Sequence, residues 1–496
     1  MTDNINYHES GITDEKANRI KKLEELKSLN INPYPNIYKP TDYSADIKEK
    51  FEAEGEQEFE TDIAGRIMLY RDFGKACFAT IKDNKGTIQV YARKDILGEE
   101  KFAYFKLIDI GDIIGAKGKV FRTHKGEITV LIEEFELLAK SINPLPEKWH
   151  GLTDVEIRYR QRYLDLIIND NVKTDFITRS KVVTHIRALL VERGFLEVET
   201  PMMHPIPGGA TARPFVTHHN ALSTDLFLRI APELYLKRLI VGGFEKVFEL
   251  NRNFRNEGID TRHNPEFTML ELYMAYADYR DMMSIFEEIM KSVAIEIKGS
   301  ASFEYQGETL DFGNWKKIKY VDSLKDIADI DISGVKDRKD AEKLAKSKGI
   351  KDIDKNMGKW AILNLLFEEY VEPNLKAPTI IYEYPSEISP LSKYKPDNPE
   401  FVERFEGFAC GYELCNAFSE LNDPFVQRDR FTAQAKRKAA GDIEAMFMDE
   451  DYLNALEYAM PPTGGLGIGI DRVVMLMIDT HSIRDTILFP TLKKKV

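Results

Sequence analysis

The sequence predicts an α+β protein in two parts, a small N-terminal β-barrel and a larger domain in which helices flank a β-sheet. Three observations predict this. Between Asp62 and Ala139 the chain runs in short alternating strands separated by tight turns. Beyond Asn143-Pro144-Leu145-Pro146 long helical periods alternate with strands. The chain has 496 residues, 43% hydrophobic and 30% charged, ample for several cored domains at about 150 residues each.

Composition narrows the function classes. Lys and Arg number 69 against 82 Asp and Glu, a net charge of −13, which excludes a histone-like coat but not a nucleic acid met by a local basic patch. Three cysteines exclude a disulfide scaffold and fit a reducing, cytoplasmic compartment. No apolar run reaches the roughly 18 residues of a membrane span. The polar start, Met1 to Ser10, lacks a signal-peptide apolar region.

The elements follow in order. Residues 1–60 read as an N-terminal helical segment. Ile20, Leu23 and Leu26 give 14–30 a helical period, prolines 33, 35 and 40 break it, and a second helix covers Ser44 to Glu54. Residues 61–140 read as five strands. The first lies near Ile63–Tyr70. Cys77–Ile81 and Thr87–Ala92 flank the turn Asp83-Asn84-Lys85-Gly86, and Ile113–Arg122 and Glu127–Leu138 flank Thr123-His124-Lys125-Gly126. Five strands in so short a span predict a Greek-key barrel of OB type, with a small β-sandwich as the alternative. A linker covers 141–155, and residues 156–496 form the larger domain. There, Lys173–Arg193 is a long helix stopped at Gly194, followed by a strand Phe195–Thr200. A helix Pro232–Val241, a glycine turn and a strand Val247–Asn251 come next, and the lysine- and aspartate-rich stretch about 300–378 reads as a helical insertion.

Several common chemistries are missing. There is no GxxxxGK[ST] phosphate loop, and Gly464-Gly465-Leu466-Gly467-Ile468-Gly469-Ile470 lacks dinucleotide spacing. Cys410 and Cys415 have no second Cys/His pair at zinc spacing, so they read as structural.

Three constellations remain. The first is Arg255, Glu257, Arg262, His263 and Glu271, crowded on one hairpin; Phe267, Met269, Glu271 and Tyr273 share a face of its outgoing strand. A face bearing an aromatic, a carboxylate and a phenol suits a flat ring and a cation. The second is the glycine run ending in Asp471-Arg472. Alternating Gly465, Gly467 and Gly469 leave one strand face as bare backbone, against which a flat ligand lies close. Arg472 then falls in the first turn of a helix, where anions are favoured. The third is Glu406, Glu413, Asn416 and Glu420. Carboxylates without histidine or cysteine suit magnesium held together with phosphates. Glu413 and Glu420 lie in apolar text, where unpaired carboxylates are costly.

Together these blocks resemble the three ordered motifs of class II aminoacyl-tRNA synthetases. Lys173–Pro201 resembles motif 1, Phe254–Tyr273 motif 2, and Gly464–Arg472 with its helix motif 3. An OB-type domain ahead of them points to subclass IIb, the lysine, aspartate and asparagine enzymes. The stretches Gly208–Phe215, Ala231–Lys237 and Phe418–Asp423 are closest to the lysine-specific, bacterial-like branch. The resemblance runs from the first helix to Pro490, and the class I signatures HIGH and KMSKS are absent.

The resemblance implies an antiparallel catalytic sheet, a homodimer formed through motif 1, and a ligase that activates L-lysine with ATP and transfers it to tRNA. Arg255 would hold the α-phosphate and the amino-acid carboxylate, and Arg472 the γ-phosphate. Glu257, His263, Asn264, Phe267, Asn416 and Gly469 would complete the ATP site, and Glu406 and Glu413 would bind Mg2+. Gly209 would contact the bound lysine, Glu233 would take its α-amino group, and Glu271, Tyr273 and Glu420 its side-chain ammonium. In the barrel, Phe78 would stack on an anticodon base, Gln89 and Glu127 read base edges, and Arg66 contact phosphate or base. The basic side of the first helix (Lys16, Arg19, Lys21, Lys22, Lys27) reads either as a tRNA contact or as a solvated face. The alternatives are an asparaginyl or aspartyl enzyme, a lysine-activating relative that modifies a protein, and a non-catalytic RNA-binding paralogue.

Overall fold

The computed structural model describes residues 14–146, 152–439, 441 and 445–494. Residues 1–13 of the N-terminal segment and 147–151 of the linker lie outside the described residues. The chain divides into two compact units, 1–153 and 154–496.

In the first unit, helix α1 (Asp14–Ser28) and helix Ser44–Ala53 precede five strands, β1 (Glu60–Asp72), β2 (Ala76–Lys82), β3 (Thr87–Arg93), β4 (Ile113–Arg122) and β5 (Ile128–Ala139). They close into a barrel in the order β1-β2-β3-β5-β4, with β3 and β5 parallel and the other pairs antiparallel. In β2 and β3 the alternation is strict, whereas β4 and β5 each bury three residues in succession. Cys77, Ala79 and Ile81 point inward with Ile63, Ile67, Val90, Ile114, Val130 and Ile132, while Phe78 and Thr80 point outward. Leu26 is buried, but Ile20 is exposed. The basic side of α1 is partly committed to the fold. Arg19 is buried and donates to the carbonyls of Ile110 and Ser141, and Lys22 pairs with Asp109 at 2.5 Å.

The second unit is built on an eight-stranded sheet. Its strands in chain order are β6 (Leu196–Glu197), β7 (Lys246–Phe254), β8 (Glu266–Ala275), β9 (Lys316–Lys319), β10 (Thr379–Tyr382), β11 (Arg404–Ala409), β12 (Tyr412–Ser419) and β13 (Thr463–Gly469), and their order in space is β9-β10-β11-β12-β13-β8-β7-β6. The six central strands are antiparallel, as expected. The sheet as a whole is mixed, because β6 runs parallel to β7 and β9 parallel to β10. The region about 300–378 also differs from the helical reading. It opens with a hairpin, Ser302–Tyr305 and Glu308–Asp311, and then supplies β9 to the sheet edge before its helices begin. Strand β9 reads Lys-Lys-Ile-Lys, three charges in four residues, which masks an edge strand as a solvated turn.

One face of the sheet is packed by helices. In α2 (Asp170–Glu192), Val182, Ile186 and Leu190 are buried, and Gly194 beyond it has φ +80°, the left-handed stop the sequence indicates. Helix α3 is Glu233–Val241. Helix α4 (Tyr279–Lys298) buries Met282, Phe286, Ile289, Met290 and Val293. It starts at a capping box in which Asp278 accepts from the backbone of Asp281 and the Asp281 side chain accepts from the backbone of Asp278. Helix α5 (Ile470–Met477) follows β13 directly. Helices α2, α4 and α5 cover Leu270, Leu272 and Ile468 on this face, whereas α3 packs on the opposite face with Val247, Tyr273 and Phe418. Near the end of the chain Arg162, fully buried, pairs with Asp165 at 2.5 Å and donates to the carbonyls of Arg484, Ile487 and Leu488.

Candidate active site

The open face of the sheet carries a cavity of about 530 Å3. Strand register builds it. Across the sheet Glu271 on β8 stands opposite Gly467 on β13, Gly467 opposite Asn416 on β12, and Asn416 opposite Glu406 on β11. Directly opposed residues share a face, so this one row brings two carboxylates and an amide over a floor of bare backbone. The next row runs Tyr273, Gly465, Phe418, Arg404. All fifteen residues read from the sequence as ATP, lysine or metal contacts line this cavity, although they come from five separate stretches of chain.

The glycines serve two purposes. At Gly467 and Gly469 the strand backbone is the cavity floor. Gly465 instead makes room for side chains: a Cβ there would overlap the Glu420 carboxylate and lie 2.7 Å from the Tyr273 ring. Gly209 has φ +87°, and a Cβ there would lie 3.1 Å from that of Glu233, so only glycine lets this loop press on α3. Gly465→Ala is expected to displace Glu420 and cost about 1–3 kcal/mol of stability, measurable as a lowered thermal midpoint.

One end of the cavity is acidic. Glu233, Glu271, Tyr273 and Glu420 are all buried. Burial and the neighbouring Glu233 push the Glu271 carboxyl up to about 8, and its oxygen accepts from the Tyr273 hydroxyl at 3.2 Å. Burial also raises Glu420 and Glu233 above the usual carboxylate range, against the pull of Lys237. Lys237, which lies behind this end, pairs with both Glu233 and Glu420.

Arg255 lies between the two ends, within electrostatic reach of Glu271 on one side and of Glu413 and Arg472 on the other. Burial pulls its pKa below the ordinary arginine value, yet the guanidinium keeps its charge at neutral pH. It stacks over Phe267 at 5.1 Å, and its buried Nε has no hydrogen-bond partner. A buried donor without a partner is costly, so this group is set to meet an anion.

The far end mixes signs. Arg472 donates from Nη1 to the Glu413 carbonyl at 2.6 Å and lies 3.4 Å from its carboxylate. Asp471 beside it is buried, accepting from Arg179 of α2 at 2.6 Å and from the Thr268 backbone at 2.7 Å, which ties three elements together behind Arg472. Glu406 accepts from the Tyr384 hydroxyl at 2.7 Å and pairs with Arg404, whose Nε donates to Asn416 at 3.0 Å. Half-buried Glu372 is pushed up to about 8 by burial and by the neighbouring carboxylates of Glu406 and Glu413. Among the described residues no cluster of three or more His, Cys, Asp or Glu is arranged to hold a metal alone. A cation shared with phosphates fits that donor set. On the outer rim Glu257 and His263 are exposed, and His263 Nδ1 lies 2.9 Å from Asp260. Asn264 is buried with its Oδ1 unpartnered.

The sequence reading missed Lys237, Arg404, Tyr384 and Glu372. Lys237, one turn after Glu233, and Arg404, two residues before Glu406 on one strand face, had a local signal in that spacing, whereas Tyr384 and Glu372 reach the site only through tertiary packing. Cys415 is buried under Gly407, and burial holds its thiol well above the usual range, so it is inert at neutral pH.

The barrel carries a second candidate surface. Phe78 stacks on Tyr91 with centroids 4.2 Å apart and planes 11° off parallel, and Phe73, largely exposed, meets Phe78 edge-on. Phe121 continues the row beside Tyr91 at 6.3 Å. Gln89 accepts from the Thr129 hydroxyl through Oε1, which leaves its amide donors outward, and Glu127 is exposed. Arg66 is half-buried and donates to the Gly111 carbonyl at 2.7 Å, so part of its fork is already engaged.

Comparison with known proteins agrees with this geometry. Residues 154–493 match the family model of class II tRNA synthetases (D, K and N). The chain belongs to the class II tRNA synthetases. In this synthetase residues 62–142 also match the OB-fold nucleic acid binding domain, the closed barrel described above. A lysine–tRNA ligase of Carboxydothermus hydrogenoformans is 55% identical over 478 residues, covering 96% of this chain and 97% of the relative. One of Syntrophomonas wolfei is 53% identical over 489 residues, covering 98% of each, and one of Clostridium tetani is 54% identical over 479 residues, covering 96% and 95%. Among the described residues no helix of this synthetase is long and apolar enough to cross a membrane.

Proposed function

We propose that this synthetase is a lysine–tRNA ligase, and that the observation carrying the assignment is the acidic end of its cavity. Three buried carboxylates and a phenol surround a space beside the unpaired Arg255 guanidinium. An ammonium taken out of water costs several kcal/mol unless carboxylates surround it. A site for aspartate needs a buried cation facing its side chain instead, and a neutral amino acid leaves the carboxylates unpaired, which gives strong rejection.

In this reading the lysine carboxylate attacks the α-phosphorus of ATP in line, forming the acyl–phosphate bond of lysyl-adenylate and releasing pyrophosphate. A carboxylate is already ionised at neutral pH, so no general base is required. Arg255 bridges the two reacting groups, its planar fork suiting two oxygen-rich partners, while its stacked Phe267 offers the other ring face to adenine. Arg472, freed from Glu413, takes the γ-phosphate. Asp471, held by Arg179, keeps Arg472 aimed. Glu406 and Glu413 would hold Mg2+, which offsets phosphate charge. The terminal ribose hydroxyl of tRNA then attacks the adenylate carbonyl, and AMP leaves. Catalysis on this account is positioning and charge neutralisation.

The ring row of the barrel supports an anticodon surface, since unpaired bases stack on exposed aromatics. Homodimer formation is supported by exposed Ile177 and Val191 on α2, with Leu196, Met203 and Val216 beyond it. The direct experiment is aminoacylation: purified protein with lysine, ATP, Mg2+ and lysine-accepting tRNA is expected to yield lysyl-tRNA, and failure to charge any tRNA overturns the proposal. Phe78→Ala is expected to reduce charging by about 5- to 100-fold with amino-acid activation unchanged.

A further inference from the structure

Lys237 is a buried cation inside a site that, on the reading above, receives a substrate of two ammonium groups. It sits one turn after Glu233 on α3 and is 0% exposed. Its Nζ lies 2.5 Å from Glu233 Oε1 and also pairs with Glu420 Oε2. The rings of Phe418 and Tyr273 face it at 5.3 Å and 6.0 Å. Burial opposes its charge, but Glu233 and Glu420 outweigh that and hold its pKa above the ordinary lysine value. The other titratable groups nearby are Tyr452, from helix Glu450–Glu457, and Glu271, beyond Tyr273.

Both carboxylates line the cavity, whereas Lys237 does not. It therefore grips them from behind. Glu420 Oε1 is buried without a hydrogen-bond partner, an arrangement that is costly until a donor arrives. Once a bound ammonium has driven the proton from Glu271, the three carboxylates Glu233, Glu271 and Glu420 against the Lys237 ammonium leave two negative charges, which two substrate ammonium groups balance. Without Lys237 the excess is three, and Glu233 or Glu420 holds a proton instead.

We infer that Lys237 is a positioning residue that sets specificity: its ammonium clamps the Glu233 and Glu420 carboxylates at one spacing and so selects the length of the diamino acid bound between them. The inference rests on the lysine reading of the cavity. Glu233 rides on α3 and Glu420 on the segment leaving β12, so Lys237 is the bridge that holds these two like-charged carboxylates at one spacing against their mutual repulsion.

The test is ATP–pyrophosphate exchange with lysine and with ornithine, one methylene shorter, from about pH 6 to 9, using wild type, Lys237→Met and Lys237→Arg. Wild-type exchange is read first, because its absence with lysine overturns the lysine reading itself. In Lys237→Met the lysine-over-ornithine ratio of kcat/KM is expected to fall about tenfold or more. The lysine KM should rise and its pH dependence move upward, with the KM for ATP unchanged. Lys237→Arg keeps the charge and alters the spacing, so its pH profile should match wild type while the ratio stays low. An unchanged ratio in Lys237→Met assigns Lys237 to packing alone, and a lower lysine KM makes it a competitor of substrate; either overturns the inference. If Lys237→Met does not fold, Lys237→Arg decides through the same ratio, and a wild-type value overturns the inference.

Discussion

Arg255→Ala is expected to lower ATP–pyrophosphate exchange by about 10³-fold or more, while the thermal midpoint stays within a few degrees of wild type. The two halves have one cause. Arg255 forms no ion pair within the described residues, and its buried Nε is unpartnered, so the ligand-free fold gains little from it. On the proposed mechanism its interactions form with the α-phosphate and the substrate carboxylate as charge shifts between them. Removing a single donor aimed at developing charge typically costs about 10²–10³ in rate, roughly 3–4 kcal/mol, and Arg255 offers two donors and a full charge. Arg255→Lys keeps the charge but loses the planar fork and its stacking on Phe267, so it should recover only a minor part of the rate. A loss below about tenfold, or a collapse in stability alongside the lost rate, contradicts the assignment.

Lysine binding is expected to release close to one proton at pH 7. Glu271 is pushed up to about 8 in the ligand-free cavity by burial and Glu233, and so is largely protonated at pH 7. An incoming ammonium favours the ionised carboxylate and drives the proton off. Affinity for lysine should therefore improve as pH rises from about 6 toward 8.5. The stability sign is opposite for the ligand-free protein. A carboxyl whose folded pKa lies above its unfolded value contributes stability at low pH that is lost as pH rises through about 8. The increase in thermal midpoint on adding lysine should therefore grow across this range. Calorimetry without ATP, in two buffers of different ionisation enthalpy, isolates this step from Glu372, which titrates in the same window at the phosphate end. Binding with no proton exchange contradicts the account, and Glu271→Gln should abolish the release.

How much the sequence revealed depended on how local each feature is. The barrel was legible because Asp83–Gly86 and Thr123–Gly126 are turns by composition and the strands beside them alternate cleanly. Arg255, Phe267, Glu271 and Tyr273 were legible because one hairpin carries them all, and period-two spacing alone puts the last three on one face. Asp471-Arg472 was legible because a strand of alternating glycines runs directly into a helix. Strand β6 shrank from the expected Phe195–Thr200 to Leu196–Glu197, the two residues in register with β7, and the pairing ends with the Val198 N–H donating to the Phe248 carbonyl. Strand β9 was hidden by its lysines, and Tyr91 by the same alternation that placed Phe78, since only the barrel's closure shows that the two rings stack. Lys237 was overlooked although its i,i+4 spacing from Glu233 was visible. On α3 it reads as one more surface cation, and its burial follows from Glu420, 183 positions later in the chain.

On the proposed mechanism the buried acidic pocket is what selects lysine. ATP–pyrophosphate exchange with the purified protein, Mg2+ and each of the twenty amino acids in turn, without tRNA, reads that selection at the activation step. Exchange driven by lysine alone is the expected result. Exchange driven by asparagine or aspartate, or by no amino acid at all, overturns the proposed role of the pocket.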